Sequence, residues 1–204
     1  MLNCPACGGE SHKDLRYTKL MVCEYCHTTL FIEDEAVKRA GEKSVIVDTP
    51  SLFSLGQQYR YRGMLFEPVG RVQFSYGEDD GYWDEWWVQT NRGEGKWISV
   101  DEGDIALETL IEAPGELPAC RELKIDQSLT LFNQSLLVTE LGKATCIGLG
   151  GRLPEVIAPG EVHHYVHCSG RNGTLFTLEC CGLDKQLFKG SWVDPFDIEA
   201  LGHG

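Results

Sequence analysis

The stretch Trp83-Asp84-Glu85-Trp86-Trp87-Val88-Gln89-Thr90 is dense in aromatic and β-branched side chains, and a turn-forming Asn-Arg-Gly sequence ends it at Gly93. Such residues favour strands, and Asn and Gly favour the turns that separate them. Comparable segments are Leu65–Phe66, Arg71–Ser75, Trp97–Val100, Leu136–Thr139, Ala144–Leu149, Val162–Cys168 and Thr174–Cys180. Short strands at this spacing predict a mostly β domain, an antiparallel sandwich or barrel.

Two parts of this β region resemble each other. The pattern Tyr61-x-Gly63-x-Leu65-Phe66-x-x-Val69-Gly70 matches Asn133-x-Ser135-x-Leu137-Val138-x-x-Leu141-Gly142, and Gly95–Ser99 aligns with Gly173–Thr177 after a gap. The match suggests two related β halves, although short β patterns also produce chance matches.

Four cysteines near the N-terminus form two close pairs, Cys4-Pro5-Ala6-Cys7 and Cys23-Glu24-Tyr25-Cys26. Two residues between cysteines let one tight turn bring both sulfurs to a single ion, and two such turns complete a tetrahedron. We therefore predict a zinc ribbon with a structural zinc ion held by Cys4, Cys7, Cys23 and Cys26. A rubredoxin-like iron site is the alternative. The closed four-sulfur shell leaves no position for substrate, so this metal receives no catalytic role.

Between the ribbon and the β region, Glu33 to Gly41 has acidic residues first, basic residues last and a glycine at its end. That order suits the dipole of a short helix. The predicted domains are a zinc ribbon over residues 1–32, a short helix and linker over 33–50, and an acidic β domain over 51–204. The two β halves would cover 51–115 and 122–199.

The chain has a formal net charge of −13, and 24 of its 31 acidic residues follow Val45. An acidic surface repels phosphate backbones, so nucleic-acid binding by the β domain is disfavoured. No apolar run is long enough for a membrane-spanning helix, and no secretory signal is evident. An odd number of cysteines with paired CxxC motifs favours a reducing compartment, so we expect a cytoplasmic protein. Cys180 and Cys181 would alternate between the two faces of a strand and are expected to serve packing.

Several of these motifs resemble one bacterial family. Tyr61-Arg62-Gly63 with Phe66 and Gly70, then Trp83-Asp84-Glu85-Trp86 and Trp97-Ile98-Ser99, are similar to the bacterial domain of unknown function numbered 4178. Gly151–Glu155 and Lys189–Val193 resemble its later segments, and the likeness covers about residues 52–199. The family has no established activity. Its members tend to be encoded near membrane-stress and polyamine-related proteins, which implies a context for this chain and no chemistry.

The tryptophan motif is the candidate binding surface, formed by Trp83, Asp84, Glu85, Trp86 and Trp97. Alternate residues of a strand share a face, so either face of this strand places a carboxylate between aromatic rings. Such a surface attracts ammonium groups, those of polyamines included. The alternative is that the tryptophans pack in the core, while Asp84 and Glu85 pair with Arg, His or backbone amides.

Other candidate sites are weaker. His163 and His167 share one face of their predicted strand, but at about 3.3 Å per residue they lie about 13 Å apart, too far for one ion. No phosphate loop, dinucleotide fingerprint or nucleophile elbow is present.

We therefore favour a non-enzymatic adaptor or scaffold that binds a partner protein, or a cationic small molecule. One alternative is an enzyme acting on a cationic or carbohydrate substrate through Asp84, Glu85 or Glu155. Another is nucleic-acid binding by the ribbon through Lys13, Arg16 and Lys19.

Overall fold

The computed structural model describes residues 2–11, 15–47, 49–77 and 81–202, and the features below refer to those residues. Strands make up 58% of the described residues. The helices of the described part are three short 3-10 turns, at Cys120–Glu122, Arg171–Gly173 and Pro195–Asp197. The predicted mostly β class is confirmed. The described residues contain no helix with the length and apolar character needed to cross a membrane.

The strands, in chain order, are β1 Leu2–Asn3, β2 Glu10–Ser11, β3 Leu20–Val22, β4 Thr28–Glu33, β5 Ala36–Lys43, β6 Tyr59–Tyr61, β7 Met64–Ser75, β8 Tyr82–Thr90, β9 Gly95–Asp101, β10 Asp104–Ile111, β11 Ser128–Leu131, β12 Gln134–Leu153, β13 Val162–Ser169, β14 Thr174–Cys181, β15 Asp184–Val193 and β16 Ile198–Ala200.

Among the described residues, eight of these strands close into an antiparallel barrel. Strands β7 to β10 form one meander and β12 to β15 form another. Two seams join the meanders, because β10 pairs with β15 and β7 pairs with β12. A barrel of eight strands has an interior just wide enough to be filled by side chains or to hold one small ligand.

The two halves of the barrel share one order of elements. A short strand precedes each meander, with β6 pairing with β7 and β11 pairing with β12. Each short strand enters its meander through a two-residue turn with positive φ at both positions, Arg62-Gly63 in one half and Phe132-Asn133 in the other. The sequence alignment of the halves was therefore two residues out of register at this turn. β-Bulges stand at matching places in the two halves, at Val69 of β7 and Thr139 of β12, and these too lie 70 residues apart.

Chain segments cover both outer faces of the barrel. Phe53 and the tyrosines of β6 pack with Trp86 and Val88 over the first meander. The segment from Leu117 to Leu131 packs over the second meander, where Cys120 forms a disulfide with Cys180 of β14. The sequence predicted packing for Cys180 and a reducing compartment, and neither prediction anticipates this disulfide. The covering segment returns to β14 at that position, which spacing along the chain does not reveal.

The segment predicted to be a short helix is strand β5 instead. A two-residue turn at Asp34-Glu35, with positive φ at both residues, leads β4 back into β5. Nine residues are too few for a helix that lacks an apolar face to bury, and Val37 is the one large apolar residue in the segment. Pairing with β4 satisfies the backbone groups instead, so charge order alone gave the wrong prediction.

The ribbon sheet is continuous with the barrel. Strand β3 pairs with the end of β12 at Arg152 and Leu153, and the Lys19 N–H donates to the Leu153 carbonyl over 3.0 Å. Leu20 and Val22 of β3 belong to the same buried cluster as the side chains inside the barrel. The ribbon therefore supports the part of the chain that leads from β12 to Glu155.

Candidate functional site

The four N-terminal cysteines converge on one point. Their sulfur atoms all lie within 4.8 Å of one another, with 3.7 Å between Cys4 Sγ and Cys26 Sγ and 3.8 Å between Cys7 Sγ and Cys23 Sγ. Sulfurs at about 2.3 Å from a central ion form a tetrahedron whose edges are about 3.8 Å. The donor set and its spacing therefore fit a tetrahedral metal ion.

The two cysteine turns have the same backbone form. The Gly8 N–H donates to the Cys4 carbonyl over 2.8 Å, and the His27 N–H donates to the Cys23 carbonyl over 2.9 Å. Gly8 has a φ of 76° and His27 a φ of 60°, so His27 adopts the left-handed conformation that glycine adopts in the first turn. The two turns are therefore equivalent, although histidine stands in the second where glycine stands in the first.

A second candidate site is the cavity inside the barrel. It has a volume of about 120 Å³, and inward-facing residues of β8 to β10 and β13 to β15 line it. Aromatic rings form part of its wall, namely Tyr76, Trp83, Trp97, Tyr165, Phe188 and Trp192. Its carboxylates are Glu85, Asp101, Asp104, Glu108, Glu140, Glu155 and Glu179. Within the described residues the lining contains no lysine and no arginine, so the cavity is strongly acidic.

Four of these carboxylates sit deep in the barrel and repel one another. Burial, together with the neighbouring Glu108 and Glu155, raises the pKa of Glu85 to about 7, although Trp83 Nε1 donates to Glu85 Oε1 over 3.2 Å. Burial also raises the pKa of Glu108, Glu155 and Glu179, and charge from Glu85 contributes at Glu179. Burial and mutual repulsion therefore favour partly protonated acids at neutral pH.

One carboxyl oxygen of the cavity lacks a partner among the described residues. Asp101 Oδ1 is fully buried and accepts no hydrogen bond from them. Glu108 is 8% exposed, and its Oε1 accepts from Thr177 over 2.8 Å. Buried carboxylate oxygens are normally hydrogen-bonded, so Asp101 Oδ1 points to a donor that the described residues do not supply.

The two histidines predicted to share a face do so, and both line the cavity. Burial lowers the pKa of His163 to about 4, so this ring is neutral. Burial also opposes the charge on His167, but a 3.2 Å contact with Glu140 raises the pKa of His167 above its usual value. His167 is thus tied to a carboxylate at one end of the cavity.

Strand β8 divides the tryptophan motif between its two faces. Trp83, Glu85 and the neighbouring Trp97 line the cavity. Asp84 and Trp86 point the other way: both Asp84 oxygens accept from Arg71, at 2.8 and 2.7 Å, and the Arg71 guanidinium lies over the Trp86 ring. The candidate surface is thus a buried ion pair on one face and part of a cavity wall on the other. Trp83, Trp86 and Trp97 are all less than 8% exposed.

Sequence reasoning missed most of the acidic wall. Among the acids that meet inside the barrel, Asp101, Asp104, Glu108, Glu140 and Glu179 were not singled out. Strand alternation could have placed Glu108 and Glu179 on inward faces. Their convergence depends on closure of the barrel, which no local pattern reveals.

Two of the three basic residues considered for nucleic-acid binding are described, Arg16 and Lys19, and Lys13 lies outside the described residues. Lys19 immediately precedes β3, the ribbon strand that pairs with the barrel. Its charge lowers the pKa of Glu155, but burial raises that pKa more strongly.

Comparison with known proteins gives one match. A family model described as a domain of unknown function, DUF4178, matches residues 54–195, which include the whole barrel. No curated protein and no solved structure matches this chain. The matched region covers well over half of the 204 residues and contains the tryptophan motif and the acidic cavity. The chain belongs to the DUF4178 family.

Proposed function

We propose that this protein is a non-enzymatic binding protein whose barrel holds an organic cation of the ammonium type, and whose ribbon carries a structural zinc ion. The observation that carries the proposal is a cavity walled by seven carboxylates and six aromatic rings, with no lysine or arginine among its described lining residues.

Electrostatics supports a cationic ligand. Carboxylates brought together in a poorly solvated space repel one another, and an entering cation relieves that repulsion. The faces of Trp83 and Trp97 attract a cation through their ring quadrupoles, and this attraction strengthens when water is excluded. Asp101 Oδ1 is an acceptor that an N–H donor of the ligand can satisfy.

The geometry of the ribbon supports a structural role for its metal. Four cysteines fill a tetrahedral shell, which leaves no open position for water or substrate. Cys4 and Cys23 are buried and pack with Met21 and Leu30, so the ion would hold together a small apolar core. Zinc and iron both accept four thiolates, and metal analysis with visible absorption distinguishes them.

In this role the protein is an adaptor or scaffold. Binding of the cation would change the conformation of the barrel, and a partner protein would bind one conformation more tightly than the other. A cytoplasmic location and a link to membrane-stress or polyamine-related systems belong to the same hypothesis. The closed metal shell and the acidic, aromatic lining of the barrel cavity are what favour binding over catalysis.

The test is calorimetric titration of the zinc-loaded protein with 1,4-diaminobutane at pH 8. Glu85→Gln removes a central carboxylate while keeping its shape, and we expect affinity to fall about tenfold or more, as for loss of a charged hydrogen-bond partner. Glu112→Gln is the matched control, because Glu112 is exposed and lies outside the cavity. Equal affinity for the wild type and Glu85→Gln would overturn the proposal.

A second candidate function is an enzyme acting on a cationic or carbohydrate substrate, and one observation favours it. Glu85 and Glu155 share the cavity, and the pKa of Glu85, raised to about 7 mainly by burial, suits a general acid or base. Asp84, the third acid considered for this role, is committed to Arg71 outside the cavity. Long incubation of the protein with an amine, followed by mass spectrometry, separates the two functions: a binding protein returns its ligand unchanged.

A further inference from the structure

Two cavities in the barrel share one central wall. The first is the cavity of about 120 Å³ described above, and the second, of about 70 Å³, shares with it Glu85, Trp97, Glu155, His163 and Glu179. The first continues to Asp101 and Asp104, and the second continues to Cys181 and Asp184. Acidic groups therefore extend from the middle of the barrel in two directions.

These two directions lead to opposite ends of the barrel. Asp104 begins β10 and Asp184 begins β15, and these strands are antiparallel neighbours: Ile105 pairs with Val193, and Ile111 pairs with Leu187. The start of one strand is therefore at the end of the other. Because β10 and β15 are the last strands of the two equivalent meanders, Asp104 and Asp184 occupy corresponding places in the two halves. The two cavities therefore end in similar acidic groups at opposite ends of the barrel.

The acids are spaced along the barrel. Ser99 pairs with Glu85, and Asp101 lies two residues farther along β9, a distance of about 6.6 Å at 3.3 Å per residue. A short run of methylene groups separates two nitrogens by a similar distance. The rings of Trp83 and Tyr165 line the same cavity as these acids, and their apolar carbon edges can pack against the methylene groups between two nitrogens.

We propose that the ligand is a linear chain bearing two or more ammonium groups, which lies along the barrel axis with its nitrogens at successive carboxylates. This proposal rests on the proposed function and narrows it from cations in general to one shape. A compact cation would meet the central carboxylates and leave those toward the two ends unused.

The experiment compares amines by calorimetry at fixed ionic strength. We expect affinity to rise from butylamine to 1,4-diaminobutane and again to spermidine. The decisive comparison is between spermidine and the branched triamine tris(2-aminoethyl)amine, and we expect spermidine to bind at least about tenfold more tightly. Equal affinity for the two triamines would overturn the linear ligand while leaving cation binding intact. Absence of binding by every amine would overturn both proposals.

Variants at the two ends provide a second readout. Asp104→Asn and Asp184→Asn change exposed residues at opposite ends of the barrel, so both should fold. The variant at the end that the triamine reaches should weaken spermidine binding about threefold to fivefold, the effect expected for a partly exposed ion pair, and should weaken butylamine binding less. Glu112→Gln is again the control. If neither variant affected spermidine, the ends would not hold the ligand, and the proposal would fail.

Discussion

At the scale of single residues, Glu85 shows that one group can serve binding and oppose folding. Its carboxyl lies among other buried acids, and burial raises its pKa from 4.5 to about 7. A group whose pKa is higher in the folded state contributes most to stability below its unfolded pKa, and that contribution is lost as the pH rises through the folded value. The empty protein is therefore expected to lose stability between about pH 4.5 and pH 7 through this residue.

Glu85→Gln should consequently stabilise the empty protein at pH 8, because the neutral amide removes the charge that burial disfavours. We expect a gain of about 1–2 kcal/mol, or about 3–6 °C in melting temperature. Thermal melts of the two proteins at pH 5 and pH 8 measure the effect, and the difference should shrink at pH 5. A variant less stable than the wild type at pH 8 would contradict this account of the cavity.

For the tryptophan motif, the sequence predicted the two faces of the strand but not the partners of its carboxylates. The sequence correctly placed a carboxylate and aromatic rings on each face of one strand. It could not decide which carboxylate was free, because Arg71, the partner of Asp84, comes from the neighbouring strand β7. The acidic surroundings of Glu179 could not be predicted for the same reason, since its acidic neighbours belong to other strands.

At the scale of elements, the seam between β7 and β12 is a place of close backbone approach. Gly70 of β7 pairs with Gly151 of β12, and a side chain at Gly70 would collide with the carbonyl oxygen of Arg152. The contact lies next to the point where β12 turns to pair with β3 of the ribbon. Glycine at this position lets barrel and ribbon share one strand.

Gly70→Ala should therefore destabilise the protein by about 1–3 kcal/mol, the usual cost of forcing an extra group into a packed interior. Gly115→Ala is the control, because an added methyl group there meets no atom within 4 Å and its φ is not positive. Urea unfolding of both variants measures the free-energy difference. If Gly70→Ala had the same free energy of unfolding as the control variant, the close backbone approach at Gly70 would not contribute to stability.

The elements also divide by how well the sequence predicted them. The tested β segments from Leu65 to Cys180 are strands, because their residue types and turn boundaries agree. The helix predicted after Glu33 was wrong, because a favourable charge order could not replace an apolar face. Pairing of β10 with β15 and of β7 with β12 joins residues far apart in the chain, and no local pattern specifies it.

At the scale of the whole molecule, the four-cysteine cluster and the cavity are joined through β3. The cysteine pairs flank this strand, which pairs with Arg152 and Leu153 just before Glu155 enters the cavity wall. Loss of the ion should release β3, because a ribbon of this size depends on its metal for stability.

Removal of the metal with a strong chelator should lower the melting temperature and also weaken diamine binding, although the metal lies outside the cavity. Metal content, melting temperature and calorimetric affinity are measured on the same sample before and after zinc is restored. Restored zinc should return both properties. Unchanged diamine affinity in the metal-free protein would show that ribbon and cavity are independent.

The matching halves of the barrel have a consequence for its ancestry. Each half supplies one short strand and one meander, and the two seams that join the halves are both antiparallel. A single half paired with a second copy of itself could close the same ring, with a twofold axis exchanging its two ends. Duplication and fusion of a gene that encoded one such half would then have allowed the two copies to diverge. Asp104 and Asp184 stand at corresponding positions, where such an ancestor would have carried one residue twice.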